Sequence, residues 1–417
     1  MHKYVPGHDE RSTNMSGKVL SGGDYLTFER HKEAQMSVRD DGTPSLRLEG
    51  LVPKMEEFHN QAELLKVMWQ SLYSTISSRD IGTLFAARNI TNARNVSADP
   101  SGNYYASELM ANKFTDACTI AGAIALFQMD NVASKPKDNI YTGALGDSVA
   151  MKSYLLSEAK SFLQNMFALI LSLFQIMDPF KCRYCGKSYK QSAGLRKHEN
   201  KAHGHPEYDQ TLQTNQLRSQ ESHHDEDMIL NYTKLSLTLG MLRCNHNDAL
   251  HMSDGDRICL LISTCFFCIN KQLSKICIWF LETQCQAKIL LTARMAHRLK
   301  WNRTVNHRGR ADSNHPNDLD QEHCNKVFKN EVHSFRGIFT DKTISRLTRS
   351  ALCTDQILRQ IDTQTEMRRP SGRRSDVDLT EDINIIVNQL IQNEVFKNIP
   401  GRRHEAFPVV EANPFSS

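Results

Sequence analysis

Four residues constrain this chain more than any others: Cys182, Cys185, His198 and His203, in the spacing Cys-x2-Cys-x12-His-x4-His. Two thiolates and two imidazoles complete the tetrahedral shell of a zinc ion and leave no position for water, which is the donor set of a structural site. Phe180, Tyr189 and Leu195 supply the few apolar side chains that so small a unit can gather. With so little to bury, residues 179–205 are expected to fold only with the metal, so that zinc binding and folding are one event. His198 and His203 are five positions apart, about 500° round an ideal helix, which predicts a loosened last turn between Glu199 and Ala202.

The segment resembles the two-Cys two-His zinc fingers of ββα fold. Leu195 matches that family's core leucine, and the register then puts Gln191, Gly194 and Lys197 at the base-reading helix positions, with Lys190 and Arg196 beside them as further DNA contacts. Gln pairs with adenine and Lys with guanine in the major groove, whereas Gly194 offers no side chain. One finger covers about three base pairs and cannot address a unique site alone. The resemblance therefore implies assisted or weakly specific DNA binding, with a protein-binding or RNA-binding finger as the alternatives.

Charge distribution agrees with a polyanionic partner although the total does not suggest one. The 417 residues carry a net charge of only +4. Between Lys181 and His203, seven Lys/Arg stand against the single acid Glu199, a local charge of +6. The acid-free window from Thr283 to Ala311 carries a further +7, so the rest of the chain carries −9. The acidic body thus holds two concentrated basic segments. In the second, Arg294, His297, Arg298, Lys300 and Arg303 surround Trp301, cations to follow a phosphate backbone and an aromatic ring to stack on a base. The competing interpretation is a helix with a charged solvent face.

Composition, 40% hydrophobic and 24% charged, excludes collagen-like, mucin-like and wholly disordered chains. Strand signals are sparse, so the expected class is mainly α (α+β), a helical body with one inserted ββα finger. The organisation read from the sequence is an N-terminal helical part over 1–178, the finger over 179–205, a polar linker over 206–230, a C-terminal helical part over 231–400 and a tail over 401–417. Met55, Phe58, Ala62, Leu65, Trp69 and Leu72 step by three or four and predict an amphipathic helix. Tyr105 to Phe127 reads as a second helix whose small residues suit close packing. Asp378 with Glu381 caps a third, with an apolar face of Leu379, Ile383, Ile386, Val387, Leu390 and Ile391 before Pro400-Gly401. The uncharged run Ser161 to Met177 falls short of the roughly 20 apolar residues of a membrane span, so no membrane association is expected. Eleven cysteines, an odd number spread from Cys118 to Cys353, read as a reducing compartment rather than a disulfide framework. Cys265-x2-Cys268 inside an apolar run reads as buried thiols before a second metal site.

Several carboxylates are candidates for catalysis. Asp24 follows Gly22-Gly23, and Asp318, Asp320 and Glu322 cluster after the second basic window. Acids from such distant segments can converge to hold two Mg²⁺ ions for phosphodiester chemistry. The simpler account has Asp318 capping its own helix, with Gln321 at N3 and with Leu319, His323, Val327 and Phe328 on the buried side.

The segments 22–30 (GGDYLTFER), 80–84 (DIGTL), 103–105 (NYY) and 317–325 (NDLDQEHCN) resemble a transposon-associated family of unknown function, the domain-of-unknown-function family numbered 6589, over most of residues 20–400. The resemblance implies descent from a mobile element and a remnant of an RNase H-like transposase core, but brings no established catalytic residues. Two departures stand out. Only 23 residues precede Asp24, so an upstream strand with a first carboxylate is expected to be missing, and Ile258 to Gln286 looks foreign to its surroundings. The combined expectation is a nuclear, zinc-binding and nucleic-acid-binding protein. The alternatives are a transposase-like Mg²⁺-dependent nuclease and a protein-interaction scaffold.

Overall fold

A computed structural model describes residues 17–144, 146–166, 226–268, 274–307, 309–334, 336–365 and 378–411. The finger ligands Cys182, Cys185, His198 and His203, and the DNA-facing residues Lys190, Gln191, Arg196 and Lys197, lie outside the described residues. Among the described residues the chain is mostly helical, with two short strand pairs. None of these helices is long and apolar enough to cross a membrane. The chain divides into two compact units, each assembled from separate stretches: Met1–Val67 with Leu242–Leu379, and Met68–Met241 with Thr380–Ser417. By contrast, the sequence reading divides it into consecutive segments.

The first unit starts with β1 (Val19–Gly23), α1 (Tyr25–Ser37) and β2 (Leu51–Met55). β2 pairs with β1 in parallel, Val19 opposite Leu51 and Gly23 opposite Met55, and α1 lies in the long connection that parallel strands require. Gly22 leaves room for the Glu56 side chain, which a Cβ at that position would displace. α2 (Glu57–Leu72) follows directly, its residues to Val67 belonging to this unit. The predicted helix is therefore present, but Met55 belongs to β2, where strand pairing claims its backbone. Helices α3 (Leu84–Ile90), α4 (Tyr104–Leu126) and α5 (Ser148–Met166) belong to the second unit, and α6 (Met228–His251) enters the first at Leu242. The first unit continues with α7 (Gly255–Cys268), α8 (Ser274–Cys285), α9 (Ala293–Trp301), β3 (Thr304–Val305), β4 (His315–Pro316), α10 (Asn317–Ser334) and α11 (Asp341–Gln364).

Its core joins Phe28, Met55 and Leu64 to Ala249, Leu250, Ile258, Leu261, Ile262 and Trp279. Ile258 to Gln286, which looks foreign in sequence, thus supplies a large part of this core. Gln286 also donates to the Pro53 carbonyl at 2.7 Å. At the start of α2, Glu57 is fully buried and ion-pairs with the buried Arg303 guanidinium, while His246 Nε2 lies 3.4 Å from its other oxygen. Burial pushes the Glu57 carboxyl up, but Arg303 and His246 more than offset it and hold the carboxyl below its ordinary value.

In the second unit, α4 carries a buried run including Met110, Ala111, Phe114, Ala117 and Ala121. Gly122 lets Phe162 approach: a Cβ at that position would sit 2.5 Å from the ring. Packing of aromatic rings against the helix is thus what its small residues permit. α12 (Thr380–Gln392) buries Ile386, Val387 and Leu390, and Asp382 pairs with Lys113 of α4 at 2.7 Å. Gly401, at φ +81°, turns the chain after α12. Asp227 then ties the following stretch of chain to the start of α6, accepting from Ile229 and Leu230 N–H through Oδ1 and from Ile399 N–H and Arg402 through Oδ2. Asp80 accepts from Glu405 and Ala406 N–H, so the stretch read as a tail is held in place at least to Val410, which is buried.

Arg303→Ala is expected to cost about 3–5 kcal/mol in urea unfolding, because it leaves the buried Glu57 carboxylate without its cation. The double variant Glu57→Gln with Arg303→Met should recover most of that loss.

Candidate functional site

Asp24 ends the turn after β1 and caps α1, its Oδ1 accepting from Thr27 N–H at 2.8 Å. This is the ordinary use of an Asp before a helix. The same carboxylate lines a cavity of about 400 Å³ with Tyr25, Glu29, Glu56, His59 and Glu63. Burial raises the Asp24 carboxyl, yet the hydrogen bonds from Thr27 and the charges of His59 and Arg30 keep it below its usual range.

Asp318 does not cap its own helix. It reaches from the first turn of α10 to the first turn of α2, where Oδ1 accepts from Phe58 N–H at 3.0 Å and Oδ2 from His59 N–H at 3.2 Å. The opening N–H groups of a helix have no partner within it and draw in an acceptor, here from a distant segment. A third contact joins Asp318 Oδ2 to His59 Nδ1 at 3.0 Å. Of the residues expected on the buried face of α10, Leu319, Val327 and Phe328 are half-buried and His323 is exposed.

The candidate acids therefore do converge in part, but on a histidine. The Asp318 hydrogen bond raises the pKa of His59 against the opposing effect of burial, and the charges of Asp318, Asp24 and Glu322 add to the rise. Asp320 turns away and meets His307 and His315. Beside His59, Glu56 is buried at 5% exposure. Burial pushes its carboxyl up to about 7, although Lys54 Nζ lies 2.9 Å away and pulls in the other direction. Lys54 itself donates to the Asn302 carbonyl at 2.8 Å. Neither His59 nor Glu56 stands out in the sequence, since both sit where the helical apolar pattern begins. The adjacent acids Glu56-Glu57 next to an apolar run are the available signal.

The second basic window folds as α9. Met295 and Leu299 are buried, and Arg294, His297, Arg298 and Trp301 are exposed. Their spacing of i, i+3, i+4 and i+7 gathers them on one face. Lys300 stands over the Trp301 ring at 5.7 Å and pairs with Asp256. Arg303, which belongs to this strip in sequence, is instead buried against Glu57, because a fully buried carboxylate requires a cation beside it. The side chains of Cys265 and Cys268 lie outside the described residues.

A raised histidine stabilises the fold while it is protonated. That contribution is fully present below its ordinary value of 6.5 and is lost as pH rises through the higher folded value. Asp318→Asn should therefore cost about 1–2 kcal/mol through weakened capping of α2. The gap from wild type in urea unfolding should be wider near ~pH 6 than near ~pH 8.

A family of unknown function (DUF6589) matches residues 7–374. No curated protein and no solved structure matches the chain.

Proposed function

The chain belongs to this family of unknown function, and we propose that it is a zinc-binding, nucleic-acid-binding protein derived from a mobile element. In this reading it works in the nucleus and contacts DNA through the single finger of residues 179–205, with zinc on Cys182, Cys185, His198 and His203. The donor set, two thiolates and two imidazoles, suits that metal. The observation that carries the reading is the exposed face of α9, where Arg294, His297, Arg298 and Trp301 stand together without an acid interleaved in sequence. Two guanidiniums follow a phosphate backbone and the indole stacks on a base. A weakly specific finger needs such a second contact, since three base pairs give little affinity alone.

Retention of random duplex DNA should fall with salt. Arg294→Ala with Arg298→Ala should lower the slope of log K against log salt by about 2, one for each phosphate that a guanidinium no longer neutralises. Cys182→Ala should abolish selection of short motifs. Retention indifferent to salt and to both variants would favour a protein-interaction scaffold.

A second reading, the Mg²⁺-dependent nuclease, has one observation in its favour: Asp24 and Glu322 lie near His59, and Asp24 and His59 line the same cavity. The donor set fits a two-metal clamp poorly. Both Asp318 oxygens already accept hydrogen bonds from the start of α2, Asp320 is engaged by two histidines, and the His59 imidazole occupies the place among the acids that a cation would take. No metal-dependent step is assigned to these residues. Under the binding reading, supercoiled plasmid with Mg²⁺ stays intact; nicking that disappears in Asp24→Asn would establish the nuclease instead.

A further inference from the structure

His307, His315 and Asp320 form a cluster that the finger and the basic face do not use. His307 Nε2 lies 2.7 Å and His315 Nε2 3.4 Å from the same carboxylate oxygen, Asp320 Oδ1. One ligating atom from each of the three residues lies within 4.8 Å of the others. The two imidazole rings are 5.5 Å apart, tilted by 39°.

His307 lies 13 and His315 five positions before Asp320, and the three meet where a hairpin runs into a helix. His315 lies in β4, paired with Val305 of β3. Asp320 sits in the first turn of α10, where an acid is favoured by the helix N-terminus. His307 follows β3 in a loop closed by Asn306, whose side chain accepts from Gly309 N–H at 2.8 Å and donates to the Arg310 carbonyl at 2.7 Å. Gly309 takes φ +62° there, a conformation glycine adopts freely. On the other side of the hairpin, Asn314 Nδ2 donates to the His251 carbonyl at 2.7 Å. The three donors are therefore presented by a hairpin and a helix end.

We propose that His307, His315 and Asp320 bind one first-row transition cation of the zinc class. Ligands tetrahedrally placed at zinc's bond lengths, about 2.0–2.1 Å, stand about 3.3 Å apart, so the observed cluster needs only a small opening to admit the ion. Two imidazoles with one carboxylate select such a metal over Mg²⁺, which takes oxygen ligands almost exclusively. Three protein ligands leave at least one coordination position for water or for an incoming oxygen or nitrogen donor. The site is independent of the finger, with no thiolate in its shell.

The full chain carrying Cys182→Ala, which removes the finger's first ligand, separates the two metals. Dialysed against limiting zinc, this protein should retain one equivalent with a shell of nitrogen and oxygen only by zinc X-ray absorption. Adding His307→Ala, at an exposed position, should weaken zinc binding at least tenfold in competition with a chelator and abolish the zinc-dependent rise in Tm. Excess Mg²⁺ should displace nothing. Loss of all zinc in Cys182→Ala, a sulfur-containing shell for the retained ion, or equal retention after His307→Ala would each overturn the assignment. The state of the finger is read separately, from the equivalent of zinc that wild type holds and Cys182→Ala does not.

Discussion

The buried Glu57 carboxylate organises the first unit. It stands where β2 gives way to α2, and its partners come from the other end of the sequence: Arg303 ahead of β3 and His246 on α6. A charge taken fully out of water is tolerated only with close compensation, so these three elements are committed to one arrangement before any weaker contact matters. Asp318 adds a second constraint on the same helix turn by accepting from Phe58 and His59 N–H. The helix start is thus held from two sides, by a guanidinium behind its first residue and a carboxylate over its next two N–H groups. His59 and Glu56, which line the neighbouring cavity, flank this corner in sequence.

Several of the body's carboxylates are paired internally, Glu57 with Arg303, Glu56 with Lys54 and Asp318 with His59 in the first unit, and Asp382 with Lys113 and Asp227 with Arg402 in the second. Those cations are consequently engaged and do not serve an external partner. What remains outward on α9 is a compact group, Arg294 and Arg298 with His297 and Trp301. Counting Lys and Arg in a window overstates the strip, because Arg303 belongs to the core and Lys300 is engaged with Asp256.

Helices are legible where their apolar residues recur every three or four positions. α4 and α12 lie where their patterns put them, and Gly122 serves the close packing that small residues suggest. Met55 falls in a strand instead because its apolar side chain suits a strand as well as a helix, and pairing with Gly23 decides between them. Ile258 to Gln286 looks foreign because it is dense in Ile, Leu, Phe and Cys, yet its Ile258, Ile262 and Trp279 are buried in the core of the unit. That the candidate acids can converge is readable from the sequence. Spacing carries no information about which of them meets a histidine, and that depends on the return of α10 to the start of α2.

Asp318 and Asp320 show how finely this depends on helix geometry. They are two residues apart on α10, a separation of about 200° round the helix, so they cannot serve one site. Asp318 therefore faces α2 and His59, while Asp320 faces the β3–β4 hairpin and its two histidines. A metal held on the Asp320 side would fix the first turn of α10 against the hairpin. The same turn carries Asp318, so the acceptor that closes the start of α2 would be held in register by the ion. The hairpin cluster and the His59 corner are in this way two faces of one helical turn.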